Sequence, residues 1–273
     1  MQTAREEKWS RLLSSLRGMQ LAVVAFSGGV DSSLLLSAAA EAMGPNLIAV
    51  TARSETYPPG EIEIACEVAR SLGVRHRVLS TDELANEDFA RNPPDRCYFC
   101  KQELFAELKR IADQEGIAFV LDGTNADDLA DHRPGRKAAA EAGVRSPLAE
   151  AGLTKSEIRE LARERKIPVW DKPSLACLSS RIPYGTRITP DILRTVHEAE
   201  KVLHAAGFRQ VRVRHHGDTA RIELEREEFA KLVGNGKLEG ITRSFKGLGF
   251  TYVTLDLEGY RTGSMNESLK KSP

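Results

Sequence analysis

No stretch of these 273 residues approaches the roughly 20 consecutive apolar residues that a membrane-spanning helix requires. The opening segment, MQTAREEKWSRLL, is charged and amphipathic and lacks the apolar centre of a secretory signal, so a cytoplasmic protein is expected. Net charge is also missing: 39 Lys and Arg balance 39 Asp and Glu, and no global field advertises a nucleic-acid partner. Aromatic residues are only 6% of the chain, little material for an RNA-stacking surface. Cysteines number four, and in a reducing compartment structural disulfides are rare. No internal repeat or low-complexity segment is visible.

Two of the four cysteines, Cys97 and Cys100, nevertheless share a C-x-x-C spacing within DRCYFCK. A disulfide, a zinc site, an iron–sulfur site and a redox pair all fit that spacing, although the expected compartment weakens the disulfide. The length suits a domain of about 150–200 residues followed by a smaller one.

Short β-branched runs alternate with helical patterns from Gln20 to Trp170. LAVVAF (21–26), LIAVTA (47–52), VRHRVLS (74–80), IAFVLDG (117–123) and IPVW (167–170) read as five buried strands. Ile62, Cys66, Ala69 and Leu72 share one helical face, which makes Cys66 a packing residue. Cys97 and Cys100 are expected to precede the helix leading into the fourth strand. This alternation predicts an α/β fold, a parallel sheet with helices on both faces, whose ligands sit beyond the carboxyl ends of the strands. After Trp170 the pattern changes to a Ser/Pro/Gly-rich loop, a helix opening at Thr189-Pro190, a β-hairpin around His216-Gly217 and a strand in FTYVTLDL (250–257). The expected organisation is an α/β domain over 1–170, a cysteine-bearing active-site loop over 171–189, a small α+β domain over 190–261 and a polar tail over 262–273.

In AFSGGVDSSLLL a strand runs into a helix. Gly28 and Gly29 admit close backbone approach to an anion, Ser27, Ser32 and Ser33 offer hydroxyls, and the helix N-terminus offers N–H groups. No lysine stands where a Walker A loop has one, so transfer of a γ-phosphate is not expected. The loop resembles that of the PP-loop ATP pyrophosphatases. The resemblance implies ATP as cofactor, a Mg²⁺ ion on its phosphates, adenylation of a substrate oxygen, and Asp31 organising the metal–pyrophosphate end. It also implies nucleotide contacts from Ser54 in TARSETYP and from Thr124 in DGTNADD. Thr124 and Asp127 equally suit helix capping.

Cys177 lies past the last expected strand, among the small residues Ser174, Ala176, Ser179 and Ser180, with Lys172 and Arg181 placed to favour a thiolate. From Lys172 to Arg221 there are nine Lys and Arg against four Asp and Glu, which suits a local anionic ligand. In VRVRHHGDTARIEL, period-2 alternation sets Val211 and Val213 on one face and Arg212 and Arg214 on the other.

Together the phosphate loop, DHRPGRKAAAEAGVRSPL, KPSLACLSSRIPYGTRIT, VRVRHHGDTARIEL and YVTLDLEGYRTGSMN resemble the LarE family across nearly the whole chain. These are ATP-dependent sulfur transferases that act on pyridinium-3,5-biscarboxylic acid mononucleotide in making a nickel-pincer nucleotide. The resemblance implies a small mononucleotide substrate and an AMP-forming reaction. One version of the family sacrifices the sulfur of a single cysteine, matching Cys177. The other adds a pair matching Cys97 and Cys100, so that three cysteines hold a [4Fe–4S] cluster whose fourth iron takes sulfide from an external source. A Cys₃His zinc site completed by His132, His215 or His216 stays open. Arg181, Arg212 and Arg214 are implied to bind substrate or nucleotide phosphates, and Glu200 and Glu223 to hold a divalent cation or orient these arginines. A homo-oligomer is expected. The competing readings are a tRNA thiolase with the same three-cysteine logic, an ammonia-using ligase with no role for Cys177, and a nucleotide-binding protein that releases no pyrophosphate.

Overall fold

The computed structural model describes residues 4–129, 134–173, 176–234, 236–261 and 263–271. His132 and Ser174, named above, lie outside the described residues. The chain runs through α1 (Ala4–Arg17), β1 (Ala22–Ala25), α2 (Val30–Met43), β2 (Leu47–Arg53), α3 (Glu61–Ser71) and β3 (Arg75–Ser80). It continues with α4 (Glu87–Ala90), α5 (Arg96–Gln114), β4 (Phe119–Leu121), α6 (Pro134–Glu141), α7 (Pro147–Glu150) and α8 (Lys155–Glu164). Then follow α9 (Pro190–Ala205), β5 (Val211–His216), β6 (Thr219–Leu224), α10 (Phe229–Gly234), α11 (Lys237–Gly247) and β7 (Tyr252–Leu255).

Backbone contacts divide the chain into two units, one formed by 1–83 with 95–175 and the other by 84–94 with 176–273. The first unit holds a four-stranded parallel sheet in the order β3-β2-β1-β4. Alternation along the central strands decides which helices cover which face. Ala22, Val24, Leu47 and Ala49 pack into a core with α1, α2, α3 and α8. Val23, Ile48 and Val50 pack into a second core with α5 and α6. The sheet is thus buried on both faces at its centre, as the apolar runs of β1 and β2 require. Among the described residues no helix is long and apolar enough to cross a membrane.

Three expectations are corrected here. Residues 167–170 form no strand. Lys166 takes a left-handed conformation (φ 56°) that ends α8, Ile167 N–H bonds the Ala162 carbonyl, and Trp170 N–H closes a turn on Ile167 O. Ile167 and Val169 are buried as helix-capping anchors, so their apolarity reflects packing rather than a ladder. Contrary to expectation, Cys177 therefore does not follow a fifth strand of the parallel sheet. Second, β3 is an edge strand with largely exposed side chains, including Val78. Third, Cys97 and Cys100 do not precede the helix leading into β4; they sit in its opening turns.

The second unit is a three-stranded mixed sheet, β5-β6-β7, with β5 and β6 antiparallel and β7 parallel to β6. Leu203, Phe208, Val213, Leu224 and Phe245 build its core. The segment 84–94 joins this unit through Asn92. That residue is fully buried at φ 58°, and its amide donates to the carbonyls of Ile182 (3.2 Å), Pro183 (2.8 Å) and Thr186 (3.1 Å). Asparagine is among the few side chains that accept a left-handed backbone, and here its amide satisfies a turn of irregular chain.

Candidate active site

The phosphate loop is built by the turn between β1 and α2. Gly28 has φ 70°, and a Cβ there would stand 3.1 Å from Ala65 Cβ, so backbone conformation and the closeness of α3 both demand glycine. Gly29 caps α2 without a side-chain bond, which leaves first-turn N–H groups open to an anion. The Ser32 hydroxyl donates to Gly29 O (3.1 Å) and meets Ser27 Oγ at 3.1 Å. Ser33 is fully buried with its hydroxyl unpartnered among the described residues, so of the three serines Ser27 and Ser32 are the ones that hold the loop.

Beyond β4 a second turn closes on this loop. A Cβ on Gly123 would come within 3.0 Å of Ser32 N, so glycine there lets the two turns touch. Asp122 accepts hydrogen bonds from Thr124 N (3.1 Å), Thr124 Oγ1 (2.8 Å) and Ser146 Oγ (2.7 Å). Thr124 is therefore fixed by a carboxylate beside the phosphate loop. The capping role falls to Asn125, which accepts from Asp127 N and Asp128 N and donates to Asp31 Oδ1 (3.2 Å). Asp127 accepts the Lys155 N–H at the start of α8 (2.8 Å).

Asp31 forms an ion pair with Lys155. Lys155, Asn125 and Asp122 were not singled out from the sequence, because each acts across a tertiary contact. The sequence does hold a signal for the helix start that positions Lys155, one not drawn on above: Thr154-x-x-Glu157 is a capping box, and both its hydrogen bonds form. Ser54 is bonded within its own turn, to Thr56 Oγ1 (2.7 Å) and Thr56 N. Lys172 meets Glu61 (2.7 Å) rather than a thiol.

In the second unit the three expected arginines come together with both expected glutamates. Arg181, with no exposed surface, binds Glu200 through Nε (2.8 Å) and Nη2 (2.9 Å). Its Nη1 donates to the carbonyls of Ala176 (2.5 Å) and Cys177 (2.9 Å). Arg181 thus holds the backbone that carries the Cys177 thiol. Arg214 forks onto Glu223 (2.9 and 2.6 Å) and also donates to Ser180 O and Ser264 Oγ. Glu200 and Glu223 each accept the fork of an arginine. Among the described residues, no three His, Cys, Asp or Glu side chains gather as a metal-ligating group.

Arg212 is buried beside this pair of forks, with its guanidinium over the Tyr260 ring (5.2 Å) and donating to Val211 O (2.6 Å). Burial, then the charge of Arg181, pulls its pKa down to about 10. Arg181, Arg212 and Arg214 thus gather with Glu200 and Glu223 in a dry setting. Arrangements of this kind favour an anionic ligand.

None of the four cysteines is joined in a disulfide among the described residues: Cys97 is exposed, and Cys66, Cys100 and Cys177 are half-buried. Cys97 and Cys100 belong to the first unit, and Cys177 to the second.

Residues 16–171 match the asparagine synthase family model. An uncharacterised Synechocystis protein is 44% identical over 97% of this chain and 99% of its own length. The pyridinium-3,5-bisthiocarboxylic acid mononucleotide synthase of Lactiplantibacillus plantarum is 42% identical over 97% of this chain and 96% of its own. More distantly, an uncharacterised Methanocaldococcus jannaschii protein is 30% identical over 88% of this chain and 90% of its own. The match to the synthase extends through the nucleotide loop, the cysteine-bearing segments and the arginine cluster alike, and the chain belongs to the LarE family of PP-loop, ATP-dependent enzymes.

Proposed function

We propose that this chain is an AMP-forming sulfur transferase that converts a carboxylate of pyridinium-3,5-biscarboxylic acid mononucleotide into a thiocarboxylate. The observation that carries the reading is the reach of the synthase match over 97% of the chain, well past the nucleotide-binding part.

ATP phosphates would lie on the Ser27–Ser33 loop and the open N-terminus of α2. Asp31 and Lys155 form an ion pair; Asp31 would hold the Mg²⁺ of bound ATP and Lys155 would take a phosphate oxygen. A substrate carboxylate oxygen then attacks the α-phosphorus, the bond to the β-phosphate oxygen breaks, and pyrophosphate leaves. Sulfide displaces AMP from the resulting acyl adenylate. Arg212, already desolvated and held between Arg181 and Tyr260, is the residue we assign to the substrate phosphate.

Cys97, Cys100 and Cys177 would hold a [4Fe–4S] cluster, which supplies one iron without a cysteine as a carrier for sulfide. The donor set suits such a group in kind: three cysteine side chains outside any disulfide among the described residues, each at least partly exposed.

The test is pyrophosphate release from ATP with and without the pyridinium mononucleotide. Substrate-dependent AMP and pyrophosphate are expected. Formation of ADP and phosphate, or release indifferent to the substrate, rejects the assignment.

A further inference from the structure

Glu83 is 2% exposed, yet only one of its carboxylate oxygens is satisfied. Oε1 accepts the Thr81 hydroxyl (3.0 Å) and faces Cys100 Sγ at 3.8 Å, while Oε2 has no hydrogen-bond partner among the described residues. No ion pair reaches this carboxylate among the described residues. An orphaned buried oxygen is destabilising, and more so when the group is charged, so its retention asks for a reason. The neighbouring thiol sharpens the question. For the mononuclear form, sulfur and oxygen on one tetrahedral metal, at bond lengths of about 2.3 and 2.0 Å, would stand roughly 3.5 Å apart.

We propose that Glu83 is an oxygen ligand to the metal centre held by Cys97 and Cys100. The proposal rests on the reading that these cysteines bind metal, and adds to it the donor for a coordination position they leave open. In an iron–sulfur cluster that position is the iron without a cysteine, which the carboxylate would occupy until sulfide displaces it. In a mononuclear centre Glu83 completes a two-sulfur, one-oxygen set. The donors do not form a closed cage as they stand, so metal would draw the carboxylate and the thiols together.

The experiment compares the full-length wild type, Glu83→Ala, Glu83→Gln and Cys100→Ala in two anaerobic arms. One arm titrates Co²⁺ and follows thiolate-to-cobalt absorption. The other reconstitutes with iron and sulfide and measures iron retained against a chelator. Both Glu83 variants are expected to lose about 10–100-fold in affinity or retention in at least one arm, with ATP binding unchanged. A loss confined to cobalt assigns the mononuclear form, and a loss confined to iron and sulfide assigns the cluster position. Glu83→Gln keeps the volume and the bond from Thr81, and so carries the test if the alanine variant does not fold. Both variants binding like wild type while Cys100→Ala does not overturns the role of Glu83 alone. Wild type that takes up neither metal overturns the cysteine–metal reading itself, and the role of Glu83 with it.

Discussion

Lys155, the first residue of α8, forms an ion pair with Asp31, in the first turn of α2, and Asn125 bonds the other oxygen of the same carboxylate. Both charges are partly solvated, with side-chain exposures of 32% and 23%, so the pair adds about 1 kcal/mol or less to stability. Its value lies in what replaces it when nucleotide binds. Asp31→Ala and Lys155→Ala should each cut substrate-dependent pyrophosphate release about 100-fold or more, while urea unfolding moves by no more than about 1 kcal/mol. A variant that keeps near-wild-type release would remove that side chain from the phosphate chemistry.

Glu200 makes the stability of the second unit sensitive to acid. Burial pushes its carboxyl upward, but the charge and fork of Arg181, the charge of Arg212 and the Val213 N–H outweigh burial and hold it below its ordinary value of 4.5. A depressed carboxylate contributes its full stabilisation above the unfolded value and loses it as pH falls toward the folded one. Glu200→Gln should cost about 3–5 kcal/mol at neutral pH, because Arg181 is left buried and unpaired. The gap between wild type and variant should narrow below about pH 4.5. Urea midpoints across that range measure it, and a gap that stays constant into acid would show that Glu200 is not the titrating group.

Arg212 and Arg214 alternate with Val211 and Val213 as the period-2 pattern required, but they do different work. Arg214 is committed to Glu223, Ser180 and Ser264, so Arg214→Ala should unfold the second unit more easily by about 3 kcal/mol. Arg212→Ala should instead weaken substrate mononucleotide binding about tenfold or more, the worth of roughly 1.4 kcal/mol, with a smaller change in stability. Isothermal titration beside thermal unfolding separates the two. The reverse pattern would exchange the roles.

What could be read from the sequence follows from what each signal encodes. The phosphate loop was legible because Gly28 answers a local demand, a left-handed turn against α3, and the residues that meet it are contiguous. The hairpin was legible because alternation and the turn at Gly217 are local too. Ile167–Trp170 misled because four apolar residues encode burial without encoding the ladder, and Lys166 turns the chain before one can start. The pairing of Lys155 with Asp31 was invisible, since nothing within either segment names a partner more than a hundred residues away. Asn92 was hidden likewise: its three carbonyl partners belong to 182–186, and its left-handed backbone leaves no composition signal.

The three cysteines Cys97, Cys100 and Cys177 make the last prediction. Thiolates from two adjacent turns of α5 and one from the loop that Arg181 braces would supply three ligands, and Cys66, on α3, would supply none. Anaerobic reconstitution with iron and sulfide should therefore give the broad visible absorption of a [4Fe–4S] cluster in wild type and in Cys66→Ala, and not in Cys97→Ala, Cys100→Ala or Cys177→Ala. With sulfide supplied, the reconstituted enzyme should turn over repeatedly and keep its intact mass, because the transferred sulfur comes from solution. The sacrificial route leaves another signature. There the Cys177 sulfur passes to the activated carboxylate, the Cβ–S bond then breaks as the Cα proton is lost, and dehydroalanine remains, lighter than cysteine by the elements of H₂S. Iron-free protein that completes one transfer and shows that mass loss at Cys177 would transfer the reaction to the cysteine itself and leave the Cys97–Cys100 pair without a part in it.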